Sequence, residues 1–321
     1  MIKTGIHIIP TMPVNQIIDL AVEAENLGYD YCLIADEGFM PDVYVSLGTI
    51  ARQTHRIKLG PVTNGYTRHP AVTATALATL NELSGGRALV TLVAGGSMVL
   101  PPMGIAREAP LTVVKETIEI LRQLWTGGSV SWQGQRYRLE GAQLALGPQN
   151  IPIWLAGRGP KMLALAGTLA DGVVMTVKSD LADALEIVEQ GLEPGKPAPY
   201  KIYLSNLAYT PEMLDQVVDM LVFIMKDAPP RVLKGFGLTD PEIANIRHVA
   251  ETSGPPATAR FITTDILKKY QIAGTPDECR QEFHETVQKH NLDVFLLDVV
   301  SPDFQTNLEL VRTTHSLIAQ P

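Results

Sequence analysis

Short apolar runs alternate along the chain with longer runs whose apolar positions recur every three or four residues. The short runs predict eight strands, at residues 5–9, 31–35, 57–60, 88–94, 151–156, 172–177, 201–208 and 294–300. The longer runs predict helices at 14–27, 43–53, from Pro70 onward, and at 110–125, 160–169, 181–190, 211–225, 276–290 and 304–318. Alternation of strand and helix over eight units is typical of an α/β fold of the (β/α)₈ (TIM) barrel type.

Two segments fall outside this repeat. Residues 129–139 alternate about Gln133 and Gly134, which predicts a small hairpin. Residues 228–260 are rich in Pro and Gly with short helical fragments, and we interpret them as an insertion after the seventh strand. No sharp change of composition divides the chain, so we expect residues 1–321 to form a single barrel domain.

The loops that follow the strands are where a barrel carries its chemistry, because the active sites of this fold lie at the carboxyl ends of the strands. The third of these loops is the most polar. Between an apolar strand and the helix opened by Pro70 it carries Thr63, Asn64, Tyr66, Arg68 and His69. We therefore expect this loop to face a ligand.

Composition restricts the possible partners. The 321 residues include 26 Lys and Arg against 34 Asp and Glu, a net charge of −8 at pH 7. This balance argues against a nucleic-acid or anionic-membrane surface, which needs a basic face. The amino terminus lacks a signal-peptide pattern, and no run approaches the ~18 apolar residues of a membrane span. Two distant cysteines, Cys32 and Cys279, fit a reducing compartment, so we expect a cytoplasmic protein.

A glycine-rich turn follows the predicted strand at 151–156. Gly157, Arg158, Gly159 and Pro160 lead directly into a helix, and free backbone N–H groups at a helix start, with one Arg, suit a phosphate. The alternative is that the glycines only make a tight turn. Met162 stands where a dinucleotide fingerprint would have its third glycine, so that motif is excluded.

Three ionisable residues stand next to or within apolar strands. Asp36 and Glu37 follow the second strand, and because successive strand residues face opposite ways, we expect one of them to point into the pocket. His7 interrupts the first strand and is either a hydrogen-bonded core residue or a titrating group. No pair of histidines has metal-ligand spacing with a carboxylate, so we expect no metal.

Four stretches, at residues 59–96, 110–146, 151–174 and 272–279, are similar to the bacterial-luciferase-like superfamily. The resemblance is greatest to its branch of deazaflavin-dependent methylenetetrahydromethanopterin reductases. It implies a barrel with a late insertion, a homodimer or higher homo-oligomer, and hydride transfer between coenzyme F420, a 5-deazaflavin, and a small organic substrate. It also implies that the cofactor lies against two groups of residues: Asp36, Val62, Thr63, Asn64, Gly95 and Gly96 around its ring, and Gly157, Arg158, Gly159, Pro160 and Thr176 around its phosphate.

The chain departs from that branch at its ionisable positions. Relatives often have Asp-His after the second strand and a Glu in the first, whereas this chain has Asp36-Glu37 and His7. An acid and a histidine have thus exchanged strands, and we hypothesise that His7 and Glu37 remain a catalytic acid/base pair. The loop at 60–64 is also one residue shorter than in relatives, which use a non-proline cis peptide there.

Three other functions stay open at this point. The same scaffold supports monooxygenases that use flavin mononucleotide (FMN) as the cofactor. The departures at His7 and Glu37 leave room for a homologue that binds a cofactor without turnover. A (β/α)₈ enzyme acting on sugar phosphates is a more distant alternative.

Overall fold

A computed structural model describes residues 2–319. Along this part of the chain the strands are β1 (Lys3–Ile8), β2 (Tyr31–Ala35), β3 (Lys58–Thr63), β4 (Val90–Leu92), β5 (Val130–Gln133), β6 (Arg138–Ala142), β7 (Ile153–Ala156), β8 (Gly172–Met175), β9 (Tyr200–Ser205), β10 (Leu207–Ala208), β11 (Ile272–Ala273) and β12 (Val294–Val299).

The helices of the same residues are α1 (Val14–Leu27), α2 (Val43–Gln53), α3 (Pro70–Leu83), α4 (Pro110–Leu124), α5 (Pro160–Leu169), α6 (Leu181–Gln190), α7 (Pro211–Asp227), α8 (Pro230–Gly235), α9 (Asp240–Ser253), α10 (Thr264–Tyr270), α11 (Pro276–His290) and α12 (Phe304–Ala319).

Eight strands close into a parallel barrel in the order β1-β12-β9-β8-β7-β4-β3-β2. The barrel is sealed where the first strand pairs with the last, and His7 on β1 lies opposite Asp298 on β12 in that register. The predicted (β/α)₈ barrel is confirmed. All its strands run the same way, so their carboxyl ends open at one mouth.

Alternation along each strand divides the core into two layers. Ile6, Ile8 and Cys32 pack outward against the helices, whereas Leu33 and Leu296 belong to a smaller apolar cluster that fills the barrel. Because side chains of a strand alternate between faces, His7, which lies between Ile6 and Ile8, points into the barrel. The apolar cluster inside the barrel thus lies beneath His7, a polar residue near the mouth.

Local signals account for where the helices start and stop. Gly28 ends α1 with φ +106°, a left-handed conformation that favours glycine. Thr275 and Glu278 form a capping box at the start of α11. At α3, Pro70 occupies the first turn, and the Nδ1 atom of His69 accepts a hydrogen bond from the N–H of Ala71. His69 is therefore a helix cap, and Pro70 sets the direction of the helix that leaves the polar loop.

Several predicted boundaries were wrong. The third strand runs on to Thr63, so Val62 and Thr63 belong to a strand and not to a loop. The fourth is only three residues long, and the seventh is split into β9 and β10. The hairpin exists as β5 and β6, joined antiparallel.

The segment after the seventh strand is more regular than its composition suggested. It contains α8 and the fourteen-residue α9, followed by a 3₁₀ turn at Pro255–Phe261. With α7 and α10 these elements enclose an apolar core of their own, and Val177 from the loop after β8 packs into it. The insertion is thus joined to the mouth of the barrel by apolar contacts.

Candidate active site at the mouth of the barrel

His7 and Asp298 form a buried pair at the carboxyl ends of adjacent strands. The Nδ1 atom of His7 lies 2.8 Å from Oδ1 of Asp298, and the residues are 6% and 4% exposed. The other ring nitrogen of His7, Nε2, is buried with no hydrogen-bond partner in the described part of the chain. A polar atom without a partner inside a protein is costly, and such atoms often mark where a ligand or water binds.

Glu37 lies within electrostatic reach of this pair, while its neighbour Asp36 is held elsewhere. Partial burial of Glu37 raises its pKa above the usual range, and the charges of Asp36 and Asp298 add to this against the opposing effect of His7. Asp36 instead accepts a hydrogen bond from Oγ1 of Thr63 at 2.8 Å. The two carboxylates thus diverge, and only Glu37 joins the His7 cluster.

Asp36 belongs to a small ionic network on the outside of the mouth. Its Oδ2 atom is 3.7 Å from Nε of Arg68, whose guanidinium also pairs with Asp42 and stacks on Tyr44 at 4.6 Å from the ring centre. Asp42 in turn caps α2 by accepting from the N–H groups of Tyr44 and Val45. The arrangement ties the loop after β3 to the start of α2.

The three ring-contact residues predicted after the third strand have different surroundings. Val62 packs at the edge of the apolar cluster inside the barrel. Thr63 is fully buried and bonded to Asp36. The Oδ1 atom of Asn64 accepts from the N–H groups of Tyr66 and Thr67 at 2.8 and 3.0 Å, which makes a turn. Among the described residues no peptide bond is cis, including those at 60–64.

The two glycines after β4 also differ. Gly95 has φ +77°, and a Cβ atom placed on it would lie 2.6 Å from Cδ1 of Leu100, so both conformation and packing require glycine there. Gly96 is exposed, and a Cβ atom there would meet nothing closer than the N atom of Met98 at 4.0 Å. Open space at the mouth therefore adjoins Gly96, whereas Gly95 shapes the turn.

The predicted phosphate loop opens α5. Gly159 is the N-cap of this ten-residue helix, and no side chain caps it. A Cβ atom on Gly159 would meet nothing within 4 Å, whereas one on Gly157 would lie 2.6 Å from Cγ of Met162. Nε of Arg158 donates to Oγ1 of Thr176 at 2.9 Å. The loop therefore combines an uncapped helix start, an open glycine and a half-buried cation, the requirements of an anion site.

A second arginine, which the sequence reasoning missed, fastens the insertion to this loop. The guanidinium of Arg231 on α8 forms a bidentate pair with the buried carboxylate of Asp180, with Nη2 to Oδ2 at 2.9 Å. It also donates to the backbone oxygen of Arg158 at 3.1 Å. One side chain thus joins the phosphate loop, the loop after β8 and the insertion.

Asp298 was missed as well, although the signal that identified His7 was present. It is the one acidic residue in the apolar run VFLLDVV, just as His7 is the one polar residue in GIHII. What the sequence could not provide was the pairing of the first strand with the last, which brings residues 291 positions apart into contact.

The polar groups and the open space at the mouth fit a cofactor with a flat ring and a phosphate. The ring side has the unpartnered Nε2 of His7 and the open space beside Gly96, and the phosphate side has Arg158 and the uncapped start of α5. Within residues 2–319 no group of three or more His, Cys, Asp and Glu side chains is arranged to hold a metal ion. In that same range, no helix has the length and apolar character needed to cross a bilayer.

Fold and site together define an α/β-barrel protein whose mouth carries an ionisable cluster and an uncapped helix start beside a partly buried arginine. The profile of one family, described as luciferase-like monooxygenase, matches residues 2–291. The chain therefore belongs to this family. The family expected from the sequence is confirmed.

Individual relatives and solved structures show which members of the family the chain resembles. The chain is 33% identical to a 5,10-methylenetetrahydromethanopterin reductase of Archaeoglobus fulgidus, over 96% of this chain and 97% of that one. The structure of a coenzyme F420-dependent tetrahydromethanopterin reductase from Methanopyrus kandleri superposes with TM-score 0.82 at 26% identity, covering 97% of each chain. The structure of an F420-dependent secondary alcohol dehydrogenase in complex with an F420–acetone adduct superposes with TM-score 0.76 over 99% of each chain. Because the two sequences are only 21% identical, this similarity supports the fold alone.

Proposed function

We propose that this chain is an oxidoreductase that transfers a hydride between coenzyme F420 and an organic substrate. The observation that carries this proposal is the buried, unpartnered Nε2 of His7 at the mouth of the barrel, opposite an open, uncapped anion-binding loop. The F420 dependence of similar proteins supports the choice of cofactor. The same relatives support a reductase or dehydrogenase of the methylenetetrahydromethanopterin reductase type.

In this proposal the phosphate loop binds and orients the cofactor. The start of α5 and Arg158 hold the phosphate, Thr176 fixes the guanidinium of Arg158, and Val62, Gly95 and Gly96 border the ring. Asp36, Thr63 and Asn64 hold the loop after β3 in shape from behind. When bound, F420 supplies the ring carbon that gives or accepts the hydride.

Moving a hydride onto a polar substrate leaves a charge that one proton must balance. Nε2 of His7 is placed to give or take that proton, since Nδ1 is already bonded to Asp298. The raised pKa of Glu37 favours its protonated form, so Glu37 is suited to resupply the proton that His7 gives to the substrate, and Glu37 regains a proton from solvent. His7 is buried and Glu37 is partly buried, which limits the access of bulk water to the proton transfer.

Cofactor choice is tested by titrating the purified protein separately with F420 and with FMN, following fluorescence and the visible absorption band. We expect binding of F420, with a Kd at least tenfold lower than that of FMN. Arg158→Gln should weaken binding of F420 by about tenfold, because it removes one charge-assisted contact to phosphate. Lys196→Gln, at an exposed position in the loop after α6 and away from the mouth of the barrel, is the matched control. Tighter binding of FMN would favour the monooxygenase alternative.

The roles of His7 and Glu37 are tested by steady-state turnover of F420 with a substrate panel that includes methylenetetrahydropterins and secondary alcohols. Loss of general acid–base catalysis costs typically 10²–10⁴-fold, and we expect His7→Gln and Glu37→Gln to lower kcat within that range with an unchanged Kd for F420. His55→Gln and Glu186→Gln, both at exposed positions, are the controls. Unchanged turnover in His7→Gln would refute the assignment, and binding without any turnover would favour the non-catalytic alternative.

We further propose that residues 1–321 act as one domain, that the protein is a homodimer or higher homo-oligomer, and that it works in the cytoplasm. The exposed apolar side chains of Val45 on α2 and Val72 on the neighbouring α3 support self-association. Both cysteines are buried and unpaired, as suits a reducing compartment. Sedimentation equilibrium of the wild type and of Val45→Glu, which should dissociate the oligomer, tests the assembly.

A further inference from the structure

The pair between His7 and Asp298 crosses the seam of the barrel. The two residues lie opposite each other in the register of β1 and β12, and both side chains point inward. Phe295 and Leu297 on β12 and Ile6 and Ile8 on β1 pack outward into the core that surrounds the pair from outside. Both partners therefore stand on rigid, buried backbone rather than on loops.

The chemistry of the two groups determines where the proton of the imidazole lies. A carboxylate only accepts hydrogen bonds, whereas a neutral imidazole has one donor nitrogen and one acceptor nitrogen. The 2.8 Å contact of Asp298 is made to Nδ1, so the neutral ring carries its hydrogen on Nδ1. Nε2 is then the atom with a free lone pair, and it is the atom that is buried without a partner.

Other charged and titratable groups lie within electrostatic range of this pair on two further elements, the loop after β2 and α10. Glu37 follows β2 and interacts electrostatically with both His7 and Asp298. Asp36 stands beside Glu37 and adds to the negative potential felt by it. Tyr270 on α10 is buried and lies within electrostatic range of both Asp298 and Arg158. Within residues 2–319, Asp298 is hydrogen-bonded to the ring and none of these three groups is, so Asp298 is the group that selects the tautomer.

We propose that Asp298 is the positioning residue of the reaction: it holds His7 in the Nδ1–H tautomer and aims Nε2 at the substrate. The inference rests on the proposed hydride transfer for its catalytic meaning, but the tautomer is a property of the protein alone. A carboxylate that orients a histidine in this way has a large effect on rate without touching the substrate, because the wrong tautomer presents N–H where a base is needed. Asp298 then acts through His7.

The tautomer is measured in the unmodified protein, without cofactor, from the ¹⁵N chemical shifts of labelled histidine at a pH where the ring is neutral. The signal of His7 is assigned by its absence in His7→Gln. We expect the Nδ1–H form to dominate in the wild type and to lose that dominance in Asp298→Ala. Asp277→Asn, an exposed aspartate on α11, should leave the signal unchanged. A wild-type ring that is mainly Nε2–H overturns the inference even if Asp298→Ala does not fold.

Turnover supplies the second measurement. In Asp298→Asn and Asp298→Ala we expect kcat to fall by about 10²–10⁴-fold, with KM and the Kd for F420 within twofold of the wild type. Added formate, a small carboxylate, should restore part of the rate of Asp298→Ala and the Nδ1–H signal with it. A purely structural role of Asp298 would show neither rescue.

The two proposals fail in different ways. If the wild type neither binds F420 nor turns over, the proposed function is wrong, and the ¹⁵N spectra still decide whether Asp298 sets the tautomer. If the enzyme is active but Asp298→Ala keeps either the Nδ1–H tautomer or the wild-type kcat, the proposed function stands and the role of Asp298 is refuted.

Discussion

Replacing Arg231 by Met tests how the insertion is held on the barrel. The change removes a guanidinium that is about a quarter exposed and leaves the buried carboxylate of Asp180 without its bidentate partner. Breaking a fully buried pair by removing one partner costs roughly 3–5 kcal/mol. Because Arg231 is partly exposed, solvent screens the pair, and we expect a loss of about 2–3 kcal/mol.

The loss should depend on pH in a definite direction. Burial raises the pKa of Asp180, and Arg231 opposes that rise. Without Arg231, the pKa of Asp180 in the folded state rises further above its ordinary value. Arg231→Met therefore loses stability as the pH rises above the ordinary carboxyl pKa, because Asp180 must then ionise without a partner. At low pH the carboxyl of Asp180 is protonated and needs no cation. The destabilisation should therefore be larger at pH 8 than at pH 5.

Calorimetry at both pH values, with urea unfolding as a check, measures the effect. For a chain of this length 2–3 kcal/mol corresponds to roughly 3–5 °C in Tm. The double variant Arg231→Met/Asp180→Asn has no unpaired buried carboxylate, so it should recover most of the stability that Arg231→Met loses. If the double variant is as unstable as the single one, or if the loss is equal at pH 5 and pH 8, the argument from an unpaired buried charge is refuted.

Two further predictions concern buried carboxylates. Glu25 is 8% exposed and accepts from the N–H groups of His55, Arg56 and Ile57 at 2.7–2.8 Å; burial raises its pKa, but these bonds outweigh burial and lower it. Glu25→Ala should lower the free energy of unfolding by about 3 kcal/mol near neutral pH. In thermal melts from pH 7 to pH 3, the difference in Tm between Glu25→Ala and the wild type should become smaller as the pH falls through the pKa of Glu25 in the folded state. A difference in Tm that does not change with pH would contradict this. Burial raises the pKa of Glu37, so the wild type loses stability as the pH rises above the ordinary carboxyl value. Glu37→Gln should therefore gain in Tm relative to the wild type between pH 4 and pH 8, and a pH-independent difference would show that Glu37 ionises freely.

Much of the fold followed from periodicity, and its errors have physical causes. Eight strand–helix units were evident because barrel strands are buried on both faces and contain few polar residues. The third strand was ended too early because Gly60 and Pro61 are residue types that are depleted in strands. In the barrel, Pro61 lies opposite Ile34 of β2, and the chain stays extended because β2 and β4 pair with it on both sides.

The sequence predicted the site residues that stand out within an apolar run. It did not predict contacts between residues that are far apart in the sequence. His7, Glu37 and the turn at Gly157 were noticeable in the sequence because each interrupts or ends an apolar run. The opposite directions of Asp36 and Glu37 followed from strand alternation. The separate partners of Thr63 and Asn64, and the contact of Arg231 with the phosphate loop, depend on tertiary packing that no local pattern encodes.

The pairing of β1 with β12 determines when the contact between His7 and Asp298 can form during synthesis and folding. His7 is synthesised 291 residues before Asp298, and the two lie on the first and last strands of the barrel. The glycine loops, the anion site and the insertion all precede β12, so a nascent chain can carry every one of them while its histidine is still without an acceptor. Joining the first strand to the last completes the His7–Asp298 pair, so under the proposed mechanism no proton transfer by His7 occurs until the barrel has closed.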